Sequence, residues 1–165
     1  MKKILLILAI TSLATISWSQ NHRTSIGLKG GSGIGLGGGG INLKHFLSGS
    51  NAIEVTLGGG HRNIRAQVLY EWQKSTGLAE GLDWYIGIGG AVGAWSENYS
   101  HPVHGYNYNR GLYLGAVGVL GLDWNIKNLT DVPLDFAIDT GPHIGLINSH
   151  FFGWGGAFAI RYVIK

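Results

Sequence analysis

From Phe152 to Ile164 every second residue is large and apolar: Phe152, Trp154, Phe158, Ile160, Tyr162 and Ile164, with Gly156 the one exception. Between them stand Gly153, Gly155, Ala157, Ala159, Arg161 and Val163. Alternation of this length predicts a β-strand with one wide apolar face and one face that is small or charged. The same split recurs upstream. Ile64, Val68, Tyr70 and Trp72 alternate with Arg65, Gln67, Leu69 and Glu71. Trp84, Ile86 and Ile88 alternate with Asp83, Tyr85, Gly87 and Gly89, and Leu112, Leu114, Leu120, Leu122 and Trp124 alternate with Tyr113, Gly115, Gly121 and Asp123. Shorter stretches around Ile26, Ile41, Val55 and Phe136 repeat it. The pattern predicts eight strands, at about 23–31, 36–47, 51–60, 62–74, 82–96, 110–127, 134–146 and 151–165.

Several of these are longer than the five or six residues of an ordinary globular strand. They match the roughly 9–11 tilted residues that cross a hydrocarbon layer. An even number of such strands predicts an all-β, eight-stranded antiparallel up-and-down transmembrane barrel, whose closure gives every strand amide a partner in lipid. The N-terminus predicts the route. Met1-Lys2-Lys3 is a short positive segment, Ile4–Ile10 is an unbroken apolar run, and Ser17-Trp18-Ser19 offers small residues for cleavage. Residues 1–19 therefore read as a secretory signal peptide and 20–165 as the outer-membrane barrel domain. With the first strand running outward, the longest connection, 96–110, falls outside the cell, as the rule of short periplasmic turns requires.

Composition sharpens this picture. The chain of 165 residues has 29 glycines, 13% charged residues, 18 aromatic residues and no cysteine. Collagen, disulfide scaffolds, cysteine zinc sites and a disordered glycine-rich tract are excluded. Loss of Lys2 and Lys3 with the leader leaves ten basic residues against nine acidic ones. No basic surface for nucleic acid survives. Low charge fits an outer surface that meets lipid, where a charge at mid-depth costs about 2–4 kcal/mol.

The segments Leu82–Gly90, Pro133–Phe136 and Gly155–Lys165 resemble those of small outer-membrane β-barrel proteins of the Bacteroidetes type, with the architecture of outer-membrane proteins A and X. The resemblance covers the mature chain. It implies integral residence in a Gram-negative outer membrane, with outer-membrane lipid and lipopolysaccharide and the barrel assembly machinery as partners. It implies no cofactor and no activity. The chain ends Val163-Ile164-Lys165, not on the aromatic residue that such barrels often present to the assembly machinery.

Three residue groups are candidates for function. The first is an interior ionic plug of Lys44, Glu54, Glu71, Asp83, Asp123, Asp135, Asp139 and Arg161, all on the inward face and mostly in the periplasmic halves of their strands. Above it, inward glycines including Gly58, Gly89, Gly93, Gly141 and Gly155 leave a small outward vestibule or make room for Tyr85, Trp95 and Tyr113. The second is an aromatic girdle of Trp72, Trp84, Trp124 and Tyr162 at the inner rim and Trp154 at the outer rim. The third is the loop, whose Tyr99, His101, His104, Tyr106, Tyr108 and Arg110 suit adaptable contacts with an extracellular ligand.

Enzyme signals are weak. Gly33–Gly38 fits GxGxxG, but no helix follows. His101 and His104 lack a third fixed metal ligand. His143, Ser149 and His150 fall near the lipid-facing outer rim without catalytic spacing. The reading is a non-catalytic structural or surface-binding barrel; the alternatives are a narrow, porin-like pore and a lipid-modifying enzyme.

Overall fold

The computed structural model describes residues 23–33, 36–100, 107–148 and 152–164. The proposed leader lies outside them. Eight long strands form one closed antiparallel barrel: β1 (Thr24–Gly33), β2 (Leu36–Phe46), β3 (Asn51–Gly60), β4 (Asn63–Ser75), β5 (Leu82–Trp95), β8 (Gly111–Asn125), β9 (Leu134–Ile147) and β10 (Phe152–Val163). Each pairs with its neighbour in the chain, and β1 closes the ring on β10 through the register Ser25↔Val163 to Ser32↔Gly156. These are the eight strands that the alternation predicts.

Two features go beyond it. A small hairpin of β6 (Tyr99–Ser100) and β7 (Asn107–Tyr108) stands in the connection between β5 and β8. One helical turn, α1 (Lys127–Thr130), lies between β8 and β9 and ends where Asp131 turns left-handed (φ 58°) and its N–H reaches the Lys127 carbonyl. Two-residue strands and a single turn are too short to carry a period. α1 also ends β8 at Asn125, short of the expected 127.

One mouth of the barrel carries the β2–β3, β4–β5 and β8–β9 connections and the start of β1; we call it the turn end. The other carries the β6–β7 hairpin and is the loop end.

The faces are inverted relative to a soluble barrel. Leu28, Ile41, Leu57, Ile64, Ile88, Leu120, Ile138 and Phe158 are all more than half exposed on the outside. Lys44, Glu54, Glu71, Asp123, Asp135 and Arg161 are sealed inside, each at 0–1% exposure. Because the side-chain period is two, a slip of one residue in any strand would exchange these faces, so the pattern fixes the register.

Many inward glycines reflect close strand approach. A Cβ on Gly27 would strike the backbone of β10, and one on Gly89 would strike β4. Others make way for rings: a Cβ on Gly121 would sit 2.5 Å from Cζ of Tyr85. The outward Gly30 meets nothing nearer than 3.6 Å. Gly121→Ala should therefore displace Tyr85 and destabilise the barrel by about 1–3 kcal/mol, while Gly30→Ala stays near neutral. Urea unfolding of the two variants side by side checks this; equal midpoints would contradict it.

Candidate functional site

Period two brings charged side chains from seven strands into a lumen barely wide enough for side chains. Arg161 on β10 is the hub. Its Nη1 donates to Glu54 Oε2 at 2.7 Å and to Asn42 Oδ1 at 3.1 Å. Its Nη2 donates to Asp123 Oδ2 at 3.1 Å, and its Nε lies 3.4 Å from Asp135 Oδ2. Lys44 on β2 bridges Asp123 Oδ2 at 2.5 Å and Glu71 Oε2 at 2.8 Å, with its Nζ 4.5 Å from the centre of the Tyr85 ring. Lys29 on β1 bridges Glu54 Oε1 at 2.6 Å and Asp139 Oδ2 at 2.7 Å. Tyr85 donates its hydroxyl proton to the same Asp139 oxygen at 2.8 Å.

The result is one chain of ion pairs running Asp139–Lys29–Glu54–Arg161–Asp123–Lys44–Glu71, with Asp135 attached at the hub. Isolated charges in such surroundings would cost several kcal/mol each, and mutual pairing offsets that cost. Five carboxylates face three cations within the chain. Arginines stand beyond both of its ends. Arg23, at the turn end, lies 3.8 Å from Asp123 with its guanidinium 4.6 Å from the centre of the Phe46 ring. Arg65 lies half-buried toward the loop end.

Seven of the eight residues expected in the interior group thus meet in one network. Asp83 is the exception. It is half-buried at the turn-end rim, accepts a hydrogen bond from Gln73 Nε2 at 2.8 Å and takes no part in the ion-pair chain. It stands opposite Asp123 in the strand register, but Asp123 is fully buried while Asp83 is partly open to solvent, which replaces an ionic partner. Lys29, on the inward face of β1, is not among the expected group and joins the network. The linking roles of Tyr85 and Asn42 are likewise not foreseen. Their inward parity on β5 and β2 was the available signal.

Toward the loop end the lumen is divided. Trp95 and Tyr113 pack with ring centres 5.7 Å apart and, with Val117, fill the side formed by β5 and β8. Opposite them remains a cavity of about 50 Å³ lined by Lys29, Thr56, Arg65, Gln67, Asp139 and His143, with Gly31, Gly141 and Gly155 among its bare walls. Glycines therefore serve both expected purposes, on opposite sides of the same lumen.

His143 is buried in the lumen against Gly153, its partner in the strand register. This corrects the expectation of a lipid-facing histidine: its odd position on β9 shares parity with Asp139 and Ala137, which face inward. Ser149 and His150 lie outside the described residues.

The candidate girdle residues Trp72, Trp84, Trp124, Tyr162 and Trp154 are all exposed on the outer face. The first four lie near the turn end. Trp154 starts near the loop end but leans toward mid-barrel, donating its indole N–H to Thr140 Oγ1 at 2.7 Å, while Thr140 donates to the Gly155 carbonyl at 2.7 Å. Both polar groups on this outer surface are thereby satisfied within the protein.

In the loop, Tyr99 pairs with Tyr108 across the hairpin. Arg110 is exposed, and its backbone N–H donates to Asn98 Oδ1 at 2.8 Å. Asn148 clamps the base, accepting from the Asn109 N–H at 3.0 Å and donating to the Asn109 carbonyl at 2.6 Å. His101, His104 and Tyr106 lie outside the described residues. Among those described, no cluster of three or more potential metal ligands exists.

A closed eight-stranded antiparallel barrel with apolar side chains outward and paired charges within has the organisation of the outer-membrane β-barrels. In structure the chain is similar to the N-terminal β-barrel domain of Pseudomonas aeruginosa OprF. The TM-score is 0.64, the sequence identity is 14%, and the match covers 86% of this chain and 97% of that domain. At this identity the likeness is one of fold. No family model matches the chain. No curated protein matches it in sequence.

Proposed function

We propose that the protein is an integral outer-membrane barrel with a structural or surface-binding role, closed to ions by its internal salt-bridge chain. The carrying observation is the inverted polarity: wide apolar side chains outside and a chain of buried ion pairs inside. In water such an outer surface would be one continuous apolar patch, far beyond what soluble monomers expose. In lipid it is the surface of lowest free energy. The turn end then faces the periplasm and the β6–β7 hairpin faces outward, with 96–110 as the contact region for an extracellular partner. The outward Trp72, Trp84, Trp124 and Tyr162 suit the inner interface, where amphipathic rings concentrate.

A narrow pore is disfavoured by the Lys44 and Arg161 bridges, which join opposite walls of the lumen. A lipid-modifying site is disfavoured by the inward burial of His143.

Protease added to intact Gram-negative cells making the full chain tests the orientation. Cleavage within 96–110, leaving the barrel strands resistant, is the expected result. Cleavage only after the cells are permeabilised would contradict it. In detergent, the unboiled protein should migrate differently from the boiled one on a gel; a single unchanged band would contradict the closed barrel.

A further inference from the structure

We propose that a groove on the outer face of the barrel is a binding site for one anionic glycerophospholipid, with an acyl chain along the groove and the phosphate at Lys74. The proposal rests on the reading of that face as lipid-facing and adds a preferred lipid to it.

Register and parity build the groove. Phe158, Ile138, Leu122 and Trp84 stand side by side on β10, β9, β8 and β5 and form one bank. Gly156, Thr140 and Leu120, two residues nearer the loop end, form the other. The backbone of the inward residues between them makes the floor, and the groove encloses about 900 Å³. It starts at the outward Gly30, the register partner of Phe158. Gly30 and Gly156 keep the banks low at this end. Strand packing does not demand glycine at 30, where a Cβ would meet nothing nearer than 3.6 Å. The lining offers an alkyl chain no competing polar group, since the Thr140 hydroxyl is already engaged by Trp154 and the Gly155 carbonyl.

The slope of the groove fits one leaflet. Each strand crossed brings the row one residue nearer the turn end, from Gly30, the seventh residue of β1, to Trp84, the third of β5. Four interstrand steps span about 19 Å. Half of a hydrocarbon core is about 15 Å thick, so a tilted acyl chain can follow the groove from mid-membrane to the interface.

The row continues one strand further, to Lys74, the register partner of Trp84. Among the described residues, Lys74 is the one Asp, Glu, Lys or Arg on the outward face of the eight long strands. It is exposed and has no ion pair among those residues; Glu80, in the following turn, does not engage it. A lone cation at the interface end of an apolar groove, beside an indole, complements a phosphate joined to an acyl chain. No outward carboxylate on these strands opposes it.

The test uses the full chain folded in detergent micelles and native mass spectrometry. Phosphatidylglycerol and phosphatidylcholine with identical acyl chains are added at equal concentration. One phosphatidylglycerol should be retained about fivefold better than phosphatidylcholine. Lys74→Met should abolish that preference, and Lys74→Arg should keep it. Gly30→Leu, which fills the mid-barrel end of the groove, should weaken retention of both lipids about fourfold, the equivalent of about one buried methylene. Gly90→Leu, at an outward glycine outside the groove, should weaken neither. Should Gly30→Leu not fold, the two Lys74 variants at the exposed rim decide. Equal retention of both lipids by the parent, a preference that survives Lys74→Met, or retention by folded Gly30→Leu equal to that of Gly90→Leu would each overturn the proposal. The lipid-facing reading is judged apart from it: an unboiled gel band that does not shift would sink that reading, whereas a folded barrel without lipid preference sinks this proposal alone.

Discussion

Arg161→Met is expected to lower the stability of the folded barrel by about 3–5 kcal/mol, the usual consequence of removing one partner from a buried ionic cluster. The side chain is fully buried and serves Glu54, Asp123 and Asp135 together. Methionine occupies similar space but leaves Asp135 with no cation in direct contact, only the Ser25 hydroxyl at 3.4 Å and the neighbouring Asp123 carboxyl. Asp123 would keep Lys44, and Glu54 would keep Lys29. The loss should therefore fall chiefly on Asp135, and adding Asp135→Asn should recover part of the stability by removing the orphaned charge. Urea titration in lipid vesicles, read by gel mobility without boiling, measures both steps. A midpoint for Arg161→Met equal to that of the parent would show that the network contributes nothing at this point.

Ile138→Lys should be nearly as damaging, and for a different reason. Ile138, the fifth of the fourteen residues of β9 and in register with mid-strand Phe158 of β10, lies on the outer face, 59% exposed to whatever surrounds the barrel. If lipid surrounds it, a lysine there costs about 2–4 kcal/mol; near the interface the same substitution costs about 0–1 kcal/mol. Ile164, just past the end of β10 and 57% exposed, is the matching position at the rim. A soluble barrel would respond in the opposite sense, since an exposed isoleucine changed to lysine in water is neutral or helps solubility. The comparison of Ile138→Lys with Ile164→Lys in vesicles separates the two environments. Equal small effects at both positions would argue against a lipid-facing surface.

Much of this was legible in the sequence, and for a physical reason. Alternation in a β-strand places residues on two faces regardless of what surrounds them, so parity alone sorted Arg161 and Asp123 inward and Ile138 and Trp154 outward. Strand length and closure followed, because an even set of long strands has no other way to satisfy its backbone in lipid. Parity does not encode height or partner choice. Asp83 and Asp123 face one another in the register, yet only Asp123 is deep enough to need an ionic partner. Lys29 joined the network because its long stem reaches across the lumen to Glu54 and Asp139. Trp154 read as a rim residue because its backbone lies there, while its indole leans to Thr140. The cavity beside Arg65 was visible only as a surplus of inward glycines. Whether such a surplus leaves space depends on which neighbouring rings turn into it: Tyr113 and Trp95 fill one side of the lumen and not the other.

The buried network also bears on what this barrel does with its interior. Well-packed apolar residues could fill the same volume at equal or lower free energy. A chain of bridged charges does something an apolar filling does not: it fixes which inward positions meet and blocks the lumen with groups that hold one another in place. The central claim is that this blockage is complete. Its most direct measurement is the conductance of the folded, unboiled protein in a planar bilayer. No steady current above the bare membrane is the predicted result. A stable, protein-dependent conductance would show that the salt-bridge chain leaves a continuous path and would contradict the account.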